Sequence, residues 1–124
     1  MAATFDVAVL AELTGLGKDQ TFTDKGTDGT TPTAGSYMYR VLATADTEEA
    51  LGLGDISTVT CLIIRAIDYD LDLDLDYAAA TFNADLTVKA GEIAAVIPNP
   101  VLVYVKNNGA AETPAYEYFV CGTT

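Results

Sequence analysis

Apolar residues recur at every second position along most of this chain, which is the pattern of β-strands rather than helices. In "TFDVAVLAEL", the residues Phe5, Val7, Val9, Ala11 and Leu13 fall on one side of an extended backbone. Similar stretches return up to the C-terminus, and clusters of Gly, Pro, Asn and Asp separate them at about the spacing of all-β domains. The sequence therefore predicts an all-β sandwich or barrel of about eight strands with little helix.

Two segments depart from the alternation. Residues 14–36, Thr14 to Ser36, are rich in Gly, Thr, Asp and Pro, so we expect a long surface loop with room for one short strand near Phe22. The one helical signal is a single turn over Thr47–Leu51, which Asp46 would cap. Further on, "ADLTVKAGEIAAVIP" reads as two strands joined at a turn, and Pro98 and Pro100 end the pairing.

Length and hydropathy indicate one folded domain spanning 1–124. The chain has 124 residues, half of them hydrophobic, which is enough for a core. Its apolar runs are far shorter than the ~20 residues that cross a bilayer, so no membrane association is expected. The N-terminus lacks a basic segment, and Asp6 and Glu12 interrupt its apolar stretch, so we expect no signal peptide.

The charge and the residue types exclude several classes of function. A net charge of −12 opposes binding to nucleic acid or anionic lipid. The chain contains no histidine, which excludes Ser-His-Asp and Cys-His catalysis, and it contains no phosphate-binding glycine motif. Cys61 and Cys121 lie in apolar stretches, and we expect both to be buried, reduced thiols. We therefore expect no enzyme activity and no cofactor.

The run "IDYDLDLDLDY" alternates acids with leucine and tyrosine. Its acids are Asp68, Asp70, Asp72, Asp74 and Asp76. In a strand, every second residue shares a face at a spacing of about 6.6 Å, where two like charges repel by about 0.6 kcal/mol in bulk water. An exposed row tolerates that repulsion. The favoured interpretation is thus one solvated face of aspartates, with the leucines turned inward.

Three alternatives remain for these acids. The five aspartates are candidate calcium ligands, although Ca²⁺ wants 6–8 oxygens and a neighbouring segment would have to supply some. The row could also recruit cations at a subunit interface. Paired carboxylates could act in glycoside hydrolysis, but exposed acids lack the raised pKa that the acid catalyst needs.

From Glu49 onward, the order of short motifs resembles a known family. The motifs are "GDIST" at Gly54–Thr58, "KAGE" at Lys89–Glu92, "LVYVK" at Leu102–Lys106 and "YEYFV" at Tyr116–Val120. This order is similar to that of small β-sandwich virion proteins of tailed bacteriophages, of the capsid decoration (cement) or head-fibre kind.

The resemblance implies a jelly-roll-like sandwich with a non-enzymatic role, often as a trimer on the capsid lattice. It also implies a hairpin at "KAGE" and a hairpin tip at Asp68–Asp70, with a strand only over Leu71–Tyr77. The expected partners are the major capsid protein or neighbouring virion subunits, in a particle assembled in the host cytoplasm.

We accordingly expect a capsid decoration protein that stabilises the phage head through protein-protein contacts. The alternative is a calcium-dependent carbohydrate-binding module. In that case, sugars would stack on exposed tyrosines, for which the candidates are Tyr37, Tyr39, Tyr104, Tyr116 and Tyr118. The absence of tryptophan counts against this alternative.

Overall fold

The chain is all-β and antiparallel, with no helix among the residues described. The computed structural model describes residues 3–4, 6–15, 17–18, 20–27, 31–96 and 102–124, with 24–27 described by backbone alone. They contain ten strands, in one two-stranded and two four-stranded sheets. No helix long and apolar enough to cross a membrane occurs in this part of the chain.

The chain forms two compact units, Met1–Pro32 and Thr33–Thr124. The first contains an antiparallel hairpin of β1 (Asp6–Leu13) and β2 (Gln20–Thr27), which we call the arm. Strand β2 lies inside the segment predicted as a long surface loop, 14–36, and it runs for eight residues. The predicted short strand near Phe22 is thus present and longer than expected, because Thr-rich sequence forms strand readily when a partner strand supplies its hydrogen bonds.

The second unit contains the other eight strands. They are β3 (Ala34–Val41), β4 (Glu49–Ala50), β5 (Thr58–Ala66), β6 (Leu71–Asp74), β7 (Leu86–Val88), β8 (Ile93–Val96), β9 (Tyr104–Asn107) and β10 (Ala115–Thr123). The first sheet has the order β3-β10-β5-β8, and the second sheet has the order β4-β9-β6-β7. These eight strands form the whole sandwich, whereas the arm belongs to the other unit. The expectation that residues 1–124 form one domain stays a prediction.

The strand order is that of a jelly roll. The pairs β3–β10, β4–β9, β5–β8 and β6–β7 are the successive rungs of one long hairpin, and they alternate between the two sheets. Wrapping the hairpin in this way brings β10 beside β5 in the first sheet and β9 beside β6 in the second. The predicted jelly-roll-like sandwich with eight strands is therefore confirmed for this unit.

The core lies between the two sheets. Its largest fully buried apolar side chains are Tyr116, Tyr118, Leu42, Leu62, Ile64, Leu71, Leu73, Val103, Val105 and Val120. Leu71 and Leu73 are fully buried, which confirms that the leucines of the aspartate run point inward. Cys61 and Cys121 are both buried, as expected, at directly opposed positions of β5 and β10, and their reduced state stays a prediction.

The predicted helical turn over Thr47–Leu51 is wrong. Glu49 belongs to β4, and its carboxylate accepts hydrogen bonds from the Ala43 amide (3.1 Å) and the Tyr116 hydroxyl (3.0 Å). Asp46 does not cap a helix, and instead its carboxylate accepts from the Asn107 side-chain amide (2.8 Å). These partners are distant in sequence, so tertiary contacts override the weak local helical signal.

The implied hairpins are also corrected. The turn at Ala90–Gly91 joins β7 in the second sheet to β8 in the first sheet, so the strands on its two sides do not pair with each other. In the same way, Asp68–Asp70 connects β5 to β6 across the sandwich rather than forming a hairpin tip. Pro98 and Pro100 lie outside the described residues.

Candidate functional site: an apolar sheet face

The surface of the first sheet that points away from the core is largely apolar. The register gives two rows across the sheet, which we call the outer face: Tyr39, Glu117, Arg65 and Ile93 in one row, and Tyr37, Phe119, Ile63 and Ala95 in the other. Tyr37, Tyr39 and Ile93 are exposed over 64%, 59% and 65% of their surface. Large apolar side chains clustered and exposed in this way are typical of an interaction surface.

The outer face exists because the central strands are apolar on both sides. In β5, Leu62 and Ile64 point into the core while Ile63 points out. In β10, Tyr118 points in while Phe119 points out. A sheet with one solvated face would carry polar residues at the outward positions. Because the central strands of the first sheet are hydrophobic on both sides, we expect both sides of this sheet to be covered.

The polar feature at the centre of the outer face is an ion pair between Arg65 and Glu117, with 3.2 Å between Nη1 and Oε1. The Tyr37 hydroxyl also donates to the Glu117 carboxylate. The hydrogen bond from Tyr37, followed by the contact with Arg65, lowers the pKa of Glu117. The bond to Glu117 in turn raises the pKa of Tyr37. The pair leaves the outer face electrically neutral at pH 7.

A shallow depression crosses the outer face between Tyr37 and Ile93, with Ile63, Arg65 and Phe119 along it. Its walls are mostly apolar, and its polar groups already bind one another. Such a surface is chemically suited to packing against another apolar surface, with the Arg65–Glu117 pair fixing the orientation of the contact.

The five aspartates of the alternating run do not form one row. Asp68 and Asp70 lie in the connection from β5 to β6, where Asp68 accepts from the Ala115 amide (2.8 Å) and Asp70 accepts from the Ala90 amide (2.9 Å). Each carboxylate thereby ties this connection to a neighbouring segment. Such backbone bonds explain acids at these two positions without a bound ion.

Asp72 and Asp74 have different environments although both belong to β6. Asp72 lies toward solvent and accepts from the Thr87 hydroxyl (2.6 Å). Asp74 is only 1% exposed, and it accepts from the backbone amides of Asp76 (3.1 Å) and Asn83 (2.8 Å). The solvated-face interpretation is therefore wrong at Asp74, because the segment after β6 folds back over the end of the strand.

Asp74 and Asp76 meet a third acid, Asp85, which the sequence reasoning did not single out. One carboxylate oxygen from each lies within 4.8 Å of the others. Repulsion from Asp85, followed by desolvation, raises the pKa of Asp76. Asp85 also accepts from the Leu75 amide (2.7 Å). The structure thus groups two of the five calcium candidates, and it places Asp68, Asp70 and Asp72 outside that group.

The three acids converge with one carboxylate oxygen each, which is fewer ligand atoms than calcium usually requires. Ca²⁺ takes 6–8 oxygen ligands, and Asp74 and Asp85 already bind the backbone amides that close the loop. The geometry fits a loop held by carboxylates, and a cation there would need several further ligands.

The candidate sugar-binding tyrosines are also dispersed. Tyr116 and Tyr118 are buried in the core, so they are wrong as stacking platforms. Tyr104 is half-buried and stacks on Tyr77, with ring centroids 3.6 Å apart. Tyr37 and Tyr39 remain exposed, and they belong to the outer face.

Sequence reasoning missed the outer face as a unit. The sequence does carry one signal, since apolar residues occur on both sides of β5 and this pattern is typical of a strand covered on both sides. Which strands lie beside β5, and hence which side chains extend the same surface, depends on pairings between β3, β10, β5 and β8 that are remote in the chain.

No family model matches the chain, and no curated protein does. A solved structure to which the chain is similar is that of a putative ethanolamine utilization protein Q (EutQ) from Salmonella typhimurium LT2. The identity is 11%, the TM-score is 0.36, and the alignment covers 95% of this chain and 97% of that chain. A likeness at this level carries no argument about the fold or the activity of the present protein.

Proposed function

We propose that this protein is a non-enzymatic structural virion protein, a capsid decoration protein that stabilises a phage head through protein-protein contacts. It acts as a homo-oligomer, with a trimer favoured, and it binds the major capsid protein or neighbouring virion subunits after assembly in the host cytoplasm. The observation that carries the proposal is the exposed outer face, where apolar side chains surround one neutral ion pair.

The physical basis is the free energy of covering that face. Fully burying one large apolar side chain is worth about 1.5–3 kcal/mol. Tyr37, Tyr39 and Ile93 are all mostly exposed, so a partner that covered them would gain several kcal/mol before the costs of association. The motif order from Glu49 onward, which resembles that of phage virion proteins, supports the same role.

The test is binding to empty heads assembled from the major capsid protein that the same genome encodes. Purified protein should co-sediment with these heads to a fixed stoichiometry, and the decorated heads should withstand heating better than bare ones. Co-sedimentation with heads from an unrelated phage is the control. If the protein stays in the supernatant at saturating concentration, the proposed function is wrong.

The alternative, a calcium-dependent carbohydrate-binding module, has less support from the geometry. Its acids, Asp74, Asp76 and Asp85, belong to the second sheet and the loop beside it, whereas Tyr37 and Tyr39 lie on the first sheet. Calcium-dependent sugar binding needs the ion and the stacking surface at one site. Melting with calcium and with chelator tests this alternative, which predicts a higher Tm when calcium is present.

A further inference from the structure

The arm has an apolar side of its own. Register places Phe22 directly opposite Ala11, so that Phe22 shares a side with Val9 and Leu13 of β1. These three side chains are exposed over 58%, 44% and 46% of their surface. The sheet that contains them has two strands, and within the described part of Met1–Pro32 no second layer covers it.

A hairpin of this kind needs a partner. An isolated two-stranded hairpin is at best marginally stable in water, and independent stability requires further strands or a packed layer. We propose that the arm of one copy packs its Val9–Leu13–Phe22 side onto the outer face of a second copy of this chain. The inference rests on the proposed assembly role, and it names the partner that the outer face takes.

Charge favours a second copy over a basic partner. A basic protein would be attracted to the acidic parts of a chain whose net charge is −12. The outer face offers no such attraction, since Glu117 is the one acid among its residues and Arg65 neutralises it. The segment 7–11 of β1 is likewise free of charge. These are the surfaces through which two equally acidic chains can approach with little repulsion.

Area favours a contact that uses both surfaces. Four strands at about 4.8 Å spacing, over about 20 Å of their length, give the outer face a footprint of about 400 Å². The arm, with two strands of eight residues, adds about 250 Å² per side. An arm covers about 250 Å² of the face that receives it, so a copy with both surfaces engaged buries about 500 Å², which is nearer to the roughly 800 Å² per partner of a stable interface than either surface gives alone.

Joining two different patches makes the contact heterologous. Such contacts form closed rings when the rotation between copies allows it. A ring of three, each copy clasping the next, is the simplest arrangement that agrees with the trimer proposed above. The experiment below tests the contact itself, in which the arm of one copy packs on the outer face of another.

The experiment uses one variant on each surface and matched controls. Phe22→Glu places a charge on the apolar side of the arm, and Ile93→Glu places one on the outer face, where the opposed Arg65 can accommodate it within the monomer. The controls are Leu10→Glu, on the other side of the arm, and Leu102→Glu, which is exposed outside the outer face. Light scattering and analytical ultracentrifugation measure the mass of each.

We expect wild type and both controls to self-associate, and each surface variant to associate about 30-fold more weakly or worse, the loss typical of a hot-spot residue. Circular dichroism and thermal melts check that the variants fold. Leu13→Glu and Tyr39→Glu repeat the test if either first variant unfolds. A wild type that remains a folded monomer at high micromolar concentration would overturn the inference.

Mixing the two surface variants identifies the pairing. Phe22→Glu keeps an intact outer face and Ile93→Glu keeps an intact arm, so the mixture can form one arm-on-face contact. It should therefore form a 1:1 heterodimer that is weaker than the wild-type assembly but is detectable at concentrations at which neither variant self-associates. Contacts of arm to arm or of face to face predict no association in the mixture, and that result also overturns the inference. Co-sedimentation of wild type with capsid heads is scored separately, so loss of the arm contact and loss of the decoration role give different outcomes.

Discussion

The environment of Asp74 does not follow from its position in the sequence. It alternates with leucine as its neighbours do, yet it is buried and its two oxygens accept different backbone amides. A carboxylate can receive both amides, because each oxygen has free lone pairs and no proton. Asp74 therefore fixes the loop that follows β6 and is a structural residue.

Replacing Asp74 with Asn should destabilise the protein by about 1–3 kcal/mol. The amide of Asn has one acceptor oxygen, so its NH₂ group would face one of the two backbone N–H donors. Asp72→Asn is the matched control, and it should change stability by less than about 1 kcal/mol. Asp72 lies toward solvent, and the amide oxygen of the new Asn can still accept the hydrogen bond from the Thr87 hydroxyl. Urea unfolding measures both. Equal, small effects would show that Asp74 is solvated.

Tyr116 links stability to alkaline pH. Burial, followed by the neighbouring Glu49 carboxylate, raises the pKa of its phenol. In the unfolded chain the Tyr116 phenol ionises near pH 10. Its contribution to the free energy of unfolding is therefore complete below that pH and is lost as the pH rises further. The free energy of unfolding should therefore fall steeply above about pH 10.

The variant Tyr116→Phe separates this effect from general alkaline denaturation. At pH 8 it should lose about 1 kcal/mol with the hydrogen bond to Glu49. At pH 11 its difference from wild type should shrink, because phenylalanine has no phenol to ionise. Urea unfolding at both values gives the comparison, and a constant difference would contradict the assignment.

At the scale of elements, the irregularity near the end of the β5–β10 pairing depends on one glycine. The register shifts between Cys121 and Gly122. A Cβ on Gly122 would lie 1.9 Å from the carbonyl oxygen of Thr58, well inside contact distance. The two backbones approach so closely that any side chain there would push the strands apart.

Gly122→Ala should consequently destabilise the sandwich by at least about 1–3 kcal/mol, the usual cost of overpacking, since a backbone atom cannot move aside as a side chain does. The control is Gly54→Ala, where the added Cβ meets nothing within 4 Å and the cost is that of a positive φ alone. Thermal melting ranks the two variants. A smaller loss for Gly122→Ala than for Gly54→Ala would contradict the close approach.

The elements also show what the sequence could and could not predict. Period-two alternation in "TFDVAVLAEL" predicted β1, since successive side chains of a strand point to opposite sides. It could not assign strands to sheets, because β7 and β8 adjoin in sequence yet lie in different sheets. Nor could it bring Asp85 to Asp74 or Tyr37 to Glu117, contacts that depend on the wrapping of the long hairpin.

At the scale of the whole molecule, exposed apolar surface occurs on a chain with a large net charge. Among the described residues, the outer face and β1 of the arm hold most of the exposed large apolar side chains, while the chain as a whole carries a charge of −12. Association of two copies is therefore driven by apolar burial and opposed by the net charge of each copy. Ionic strength changes the repulsion between the copies much more than it changes the apolar contribution.

Raising the NaCl concentration should accordingly strengthen self-association. The Debye length falls from about 30 Å at 0.01 M salt to below 10 Å above 0.1 M, so repulsion between copies is largely screened while the apolar contact is retained. We expect the dissociation constant from sedimentation equilibrium to fall several-fold between about 10 mM and 0.5 M NaCl. Ile93→Glu should stay monomeric throughout, since screening does not restore a lost apolar contact. Weaker association at high salt would mean that attraction between opposite charges holds the copies together, and it would exclude the neutral outer face as the main contact.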